Sequence, residues 1–284
     1  MAAPSMRISA LVISALLAGL SMAPQPAVAG GPSSSALQQF ERYVRLTEQR
    51  MAAELRPGAA FLQLDALSIQ ARLRDDARLR NGEVISERLQ TRDGDREIEA
   101  PGALIHHWVG TVFIPNVTLG RVLAVLEDYD RHHEYYAPQV VKSKLLSRSG
   151  DDFRVYLRLR QTDIITVVFD TEHDVRYTRV DETHAYSRSF STRVSEIEHP
   201  GEPNERALAP SKDHGFLWRI DSFWRFEQRD GGVYVQCEAI SLTRDVPLGL
   251  GPLVGPFLES IPKESLEFSL RATRDAVISR FPAH

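Results

Sequence analysis

The sequence predicts an α+β fold, a curved antiparallel sheet of about seven strands wrapped around a long C-terminal helix and preceded by a helical extension. Three observations predict it. Phe153 to Arg160 and Ile164 to Tyr177 alternate apolar odd positions with mostly polar even ones, the period of strands with one face buried. His214 to Arg244 carries two aromatic and β-branched runs flanking Asp230-Gly231-Gly232, a type I′ hairpin signal. Near the end, Leu266, Leu270, Thr273 and Val277 recur at helical spacing while Glu267, Arg271, Arg274 and Asp275 fall elsewhere, so one stripe of a terminal helix is buried.

In chain order, Arg7, the uncharged apolar run Ile8 to Met22 and the small residues Ala27-Val28-Ala29 read as a secretory signal peptide over residues 1–29. The apolar run is shorter than the roughly 20 residues that span a bilayer. Removing it takes away only Arg7, moving the formal charge from -4 to -5. That mildly acidic balance gives no electrostatic footprint for nucleic acid. The reading is a secreted or periplasmic protein whose single cysteine, Cys237, forms no internal disulfide.

Residues 30–81 form the extension. After a Gly/Pro/Ser linker, Leu37, Phe40, Val44, Met51 and Leu55 mark a helix that Pro57-Gly58 ends. A second helical segment is expected over Phe61 to Arg80, before Asn81-Gly82 turns the chain into a strand over Glu83 to Gln90. Residues 82–284 form the main domain. Gly102 to Pro115 is a strand, and Thr118 caps a helix whose Leu119, Val122, Leu123 and Leu126 share a face. The stretch YDRHHEYYAPQV reads as a polar connection. Thr183 to Ile197 is a further strand whose Ser-rich odd positions leave its inward face open, and His199 to Asp213 is a loop.

If Asp230 and Gly231 are the turn residues, Phe226 pairs with Val235, Trp224 with Cys237, Ser222 with Ala239 and Trp218 with Thr243. Trp218, Ile220, Trp224 and Phe226 then face inward with Val235 and Cys237 opposite. Large aromatic residues facing small ones suit a sheet curved around a helix or cavity. Pro247 to Pro256 alternates Gly and Pro with Leu, Val and Phe, the composition of an apolar gate or of a tightly packed connection. Behind it Ser260 is placed to cap the terminal helix, with Pro262 in its first turn.

This order of elements resembles the START-like superfamily, also called SRPBCC or Bet v 1-like. The similarity rests on TLGRVLAVLEDYDRHHEYYAPQVVKSKLL, FLWRIDSFWRFEQRDGGVYVQCEAISLTRD and IPKESLEFSLRATRDAV. It implies a helix-grip fold and a hydrophobic ligand, such as a lipid, quinone or polyketide-like molecule, held in an internal cavity, with transient membrane contact and no cofactor. The residues placed to line that cavity are Trp108, Phe169, His173, Tyr177, Trp218, Trp224, Phe226, Leu250, Leu253, Phe257, Leu266 and Leu270.

The sequence carries no GxSxG, GxGxxG or phosphate-binding loop, and Ser260-Ile261-Pro262-Lys263 has SxxK letters only. His106-His107 cannot serve one metal ion, because neighbours on a strand point to opposite faces. His132-His133-Glu134 lacks the spacing of a zinc site, and these histidines read as surface residues. His173 shares the apolar face of its strand, as a cavity residue or as a core histidine with a structural partner. Asp170, Glu172 and Asp174 occupy the other face as a solvated stripe, and Cys237 reads as a small core residue. An enzyme on the same fold, a cyclase or hydrolase, would need a polar pair inside the cavity, drawn from Tyr156, His173, Tyr177, Arg188 and Glu238. In a third reading the cavity is filled and the N-terminal helices contact a partner protein.

Overall fold

A computed structural model describes residues 30–56, 58–162, 165–210, 212–245 and 251–282, with the side chains of residues 251–259 left out of the description. The signal-peptide segment and residues 246–250, including Leu250, lie outside the described residues. Helix α1 (Ser34–Glu54) starts where the Ser33 hydroxyl accepts the amide of Ala36. A single 3-10 turn (Gln63–Ala66) and α2 (Ile69–Arg80) follow. The strands are β1 (Ile85–Arg88), the two-residue pair β2 (Arg92–Asp93) and β3 (Arg96–Glu97), and β4 (Ala103–Pro115). Next come α3 (Leu119–Leu126), a 3-10 turn (Tyr129–Arg131) and the one-turn α4 (His132–Tyr135). Strands β5 (Val140–Ser149), β6 (Asp152–Thr162), β7 (Thr166–Arg179), β8 (His184–Glu198), β9 (Arg206–Ala207), β10 (Arg219–Arg229) and β11 (Gly232–Arg244) lead to α5 (Gly251–Arg280).

Apart from β2 and β3, the strands form one antiparallel sheet in the order β1-β4-β11-β10-β8-β7-β6-β5, with β9 on β8. The β10–β11 hairpin has the expected register: Phe226 opposes Val235, Trp224 opposes Cys237 and Ser222 opposes Ala239. Asp230 (φ 56°) and Gly231 (φ 79°) both take the left-handed conformation that a type I′ turn demands. On one face of the sheet lies α5, its Leu266, Leu270, Thr273 and Val277 all buried. It rests on β4 at Gly110, where the absent side chain lets Leu270 and Leu266 reach the strand.

The opposite face is covered too. Phe40, Tyr43, Val44 and Met51 of α1 pack with Ala103, Phe223, Ile240 and Leu242, while Leu62, Leu64 and Leu79 cover Phe113 and Tyr234. Full burial of such side chains contributes roughly 1.5–3 kcal/mol each, so the extension is held by a core of its own. Strands β4, β10 and β11 are consequently buried on both sides.

Two expectations are corrected, and one stretch left unassigned from the sequence is a strand. Residues 251–256 are the first turns of α5 and not a loop; Pro252 takes the first-turn place, where a missing amide costs nothing, and Ser260 and Pro262 lie inside the helix. Val140–Ser149 is a strand. It is an edge strand with two register shifts and an exposed face bearing Lys142, Lys144 and Arg148, which blurs its alternation and guards the edge. Trp218 faces away from α5, buried in the cluster with α1, its indole N–H donating to Asp213 Oδ1 at 3.0 Å. It stands one residue before β10, outside the strand whose alternation was extended to it.

Candidate internal cavity

Between the sheet and α5 lies a cavity of about 570 Å³. Its walls come from β4, β6, β7, β8, β10, β11 and α5, so one face of six strands turns toward a common space and the sheet must be curved. Of the residues placed there from sequence, Trp108, Phe169, His173, Tyr177, Trp224 and Leu266 line it. Phe226 and Leu270 are fully buried in the adjoining core, and Trp218 lies across the sheet. Leu253 and Phe257 belong to α5, with side chains outside the description.

The inner end is built by a stretch that reads as polar in the sequence. Leu126, Tyr129, His132 and Tyr136 line the cavity. Tyr129, His132 and Tyr136 are spaced by three and four, a helical stripe that could have been read as buried. His132 is thus not a surface residue: its Nε2 donates to the Leu126 carbonyl at 3.0 Å. His106 and His107 are buried as well, on opposite faces, with His106 Nε2 2.9 Å from Thr243 Oγ1. Among the described residues no three metal-capable side chains converge.

The polar groups of the inner end are paired among themselves. Tyr177 O–H donates to the Leu126 carbonyl (3.3 Å) and stands 3.0 Å from Tyr129 O–H. Thr273 O–H donates to the Ser269 carbonyl (2.8 Å), which leaves its oxygen to accept from Tyr136 O–H at 2.9 Å. Burial pushes the phenol of Tyr136 up to about 12 and raises those of Tyr129 and Tyr177 well above the usual phenol range. It pushes the imidazoles of His132 and His173 down to about 4. These groups are neutral at physiological pH. Cys237 lines the cavity with a thiol that burial raises well above its usual range, so it is no thiolate.

Among the described lining residues Arg160 is the one that carries a formal charge, and it is exposed, as is Ile165. These two place the opening at the β6–β7 hairpin, where Ser265 of α5 meets Gln161 across 3.4 Å.

The other polar candidates lie on the far face. Tyr156 O–H donates to Asp170 at 2.6 Å, beside the Arg158 guanidinium. Arg188 pairs with Glu48 of α1. The acidic stripe Asp170, Glu172 and Asp174 is partly an ion-pair ladder, with Arg154 and Arg193 on Glu172. Glu238 is buried under α1, accepting from His107 Nε2 at 2.6 Å and pairing with Arg50. Burial raises its carboxyl, but the His107 hydrogen bond and the Arg50 and Arg225 charges outweigh that and hold it below the ordinary value. Tyr43 O–H stands 2.9 Å from His107 Nδ1, and Arg225 reaches Glu54 and the Phe61 carbonyl. This network fastens the extension to the sheet.

No protein-family profile matches the chain, and no curated protein resembles it in sequence. Solved structures that match it are similar over part of the chain, at TM-scores below 0.5. A Thermus thermophilus protein, TTHA0849, matches at TM-score 0.45 and 15% identity, over 61% of this chain and 97% of its own. The Zhui aromatase/cyclase from a Streptomyces species gives 0.42 and 15%, over 63% and 98%. A STAR-related lipid transfer protein from Xanthomonas axonopodis gives 0.39 and 17%, over 65% and 98%.

Proposed function

We propose that the chain is exported, with cleavage after Ala29, and binds or carries an apolar small molecule or lipid in the cavity beneath α5. The observation that carries this reading is a volume of about 570 Å³ whose depth holds neutral side chains alone among the described residues. Such a space favours apolar surface at roughly 25 cal/mol per Å² and disfavours an unpaired ion. Arg160 and Ile165 at the opening support loading at a membrane surface, the cation toward anionic head groups and the apolar side chain toward the acyl layer.

Binding rather than catalysis is favoured because the phenols and the His132 imidazole inside are engaged with one another, with the Thr273 hydroxyl or with backbone carbonyls. A nucleophile–base pair is not assembled from them. Extraction of the mature protein with organic solvent and mass spectrometry of the extract tests the reading: a stoichiometric apolar compound is expected. Protein that carries nothing and does not enhance the fluorescence of the neutral probe N-phenyl-1-naphthylamine would refute it. N-terminal sequencing of protein from the extracytoplasmic fraction checks export, with Gly30 expected first.

A further inference from the structure

One group in the cavity wall is not paired off as the others are. His173 is buried, and its Nε2 stands 3.0 Å from Thr171 Oγ1. The single proton of Thr171 is directed to the Leu157 carbonyl, 3.1 Å away, so Thr171 accepts from His173 and the imidazole proton sits on Nε2. Among the described residues Nδ1 has no partner, and it is not among the buried polar atoms sealed away without one. Its lone pair therefore faces the cavity.

The surroundings of that lone pair form a pattern. Ser189 on β8 opposes Val175 of β7 and Ser222 of β10, which puts it diagonally next to His173. Ser241 on β11 lies diagonally beyond Ser222. His173, Ser189, Ser222 and Ser241 all line the cavity, as a polar band crossing four adjacent strands. Phe169 and Val167 lie toward the opening and Tyr177 and Trp224 toward the inner end, where Ser187 also lines the cavity, while Val175 stands in the same row as Ser189 and Ser222. Trp224 N–H already donates to the Ser222 oxygen at 3.3 Å, which leaves the Ser222 hydroxyl its own proton to donate.

We propose that this band is a hydroxyl-recognition site and that the ligand is a neutral alcohol or phenol with an apolar body, its O–H donating to His173 Nδ1 and its oxygen accepting from the serine hydroxyls. This deepens the carrier reading and rests on it. A carboxylate at the same depth would meet no cation among the described lining residues, because the guanidinium of Arg160 lies at the opening. A hydrocarbon or an ether would leave the Nδ1 lone pair unpartnered.

Retinol and retinyl methyl ether share one apolar body and differ in the donor. Because Trp108 and Trp224 line the cavity, quenching of tryptophan fluorescence reports either probe. Retinol is expected to bind roughly tenfold more tightly than the ether, the usual worth of one net hydrogen bond. His173→Phe should bring the alcohol-to-ether ratio to about one through the alcohol arm alone. His173→Asn, whose carbonyl oxygen can stand in for Nδ1, should keep part of the preference. The ratio cancels any general loosening of the cavity. Equal binding of both probes by the parent, or an unchanged ratio in His173→Phe, overturns the hydroxyl site and leaves the carrier reading standing. If neither probe binds, both fail together.

Discussion

Adding one methyl group to Gly110 should weaken the seating of α5, and removing part of Leu270 should repair it. A Cβ at residue 110 would stand 2.7 Å from Leu270 Cδ1 and 3.4 Å from Leu266 Cδ2 and the Ile85 carbonyl oxygen. Leu270 is fully buried, so its methyl group has nowhere to swing. Overpacking of this kind costs about 1–3 kcal/mol, against which the lower chain entropy of alanine restores about 0.4–1. A net loss of about 1–2 kcal/mol is expected for Gly110→Ala. Leu270→Ala alone should cost about 2–5 kcal/mol through lost transfer energy and the void left behind. In the double variant the new methyl group faces that void, so the combined loss should fall short of the sum by about 1–2 kcal/mol. Urea unfolding of the four proteins, followed by tryptophan fluorescence, measures the coupling. Additivity within about 0.5 kcal/mol, or a Gly110→Ala variant as stable as the parent, would refute the contact between helix and strand.

Acidification should unfold the protein. Burial holds His106, His132 and His173 at about 4 in the fold, with the Arg88 charge adding to the effect at His106. Their unfolded value is near 6.5, so the stability they contribute is complete above about pH 6.5 and is lost as the pH falls toward 4, by about 3 kcal/mol each. Asp221, pushed up to about 7 mainly by burial, acts in the opposite sense and gains stability as the pH falls from 7. Melting temperature should therefore drop between pH 7 and 5, and Asp221→Asn should raise it at pH 8 and steepen the drop; a flat profile contradicts the assigned burial. Glu238→Ala leaves the buried His107 Nε2 without its acceptor, while Arg50 keeps Glu54, and should cost about 1–3 kcal/mol by urea midpoint, Glu238→Gln less. Equal stability of parent and alanine variant would show that α1 is not held through Glu238. Cys237 should react with a thiol reagent orders of magnitude more slowly in native protein than in urea, and rapid native labelling would show the cavity wall open.

Several site residues were out of reach of sequence reasoning for a common reason. Alternation identifies an inward face only where the other face is wet. In β4, β10 and β11 both faces are buried, because α1 and the Leu62, Leu64 and Leu79 cluster cover the side away from α5. Glu238 is therefore as buried as a cavity residue, although it is paired with Arg50 of α1 on the other face. The serines of β8 show the same ambiguity from the other side. Ser187 and Ser189 line the cavity and Tyr186, Arg188 and Phe190 do not, an assignment that their polarity alone would reverse.

Local patterns sufficed where one rule had one solution. The Asp230-Gly231 turn dictates the pairing sum of its hairpin, period two places His173 with Val175 and Tyr177, and period 3.6 picks out the buried stripe of α5. Those interactions span a few residues and are written in neighbouring letters. What only the tertiary structure decided was which neighbour each buried polar group meets: Thr171 for His173, Ser269 and Thr273 for Tyr136, α1 for Glu238. A buried polar atom must find a partner, and that partner may come from anywhere in the chain. The fold could thus be read from spacing, whereas the lone pair left facing the cavity emerges only after every other donor and acceptor around it has been matched.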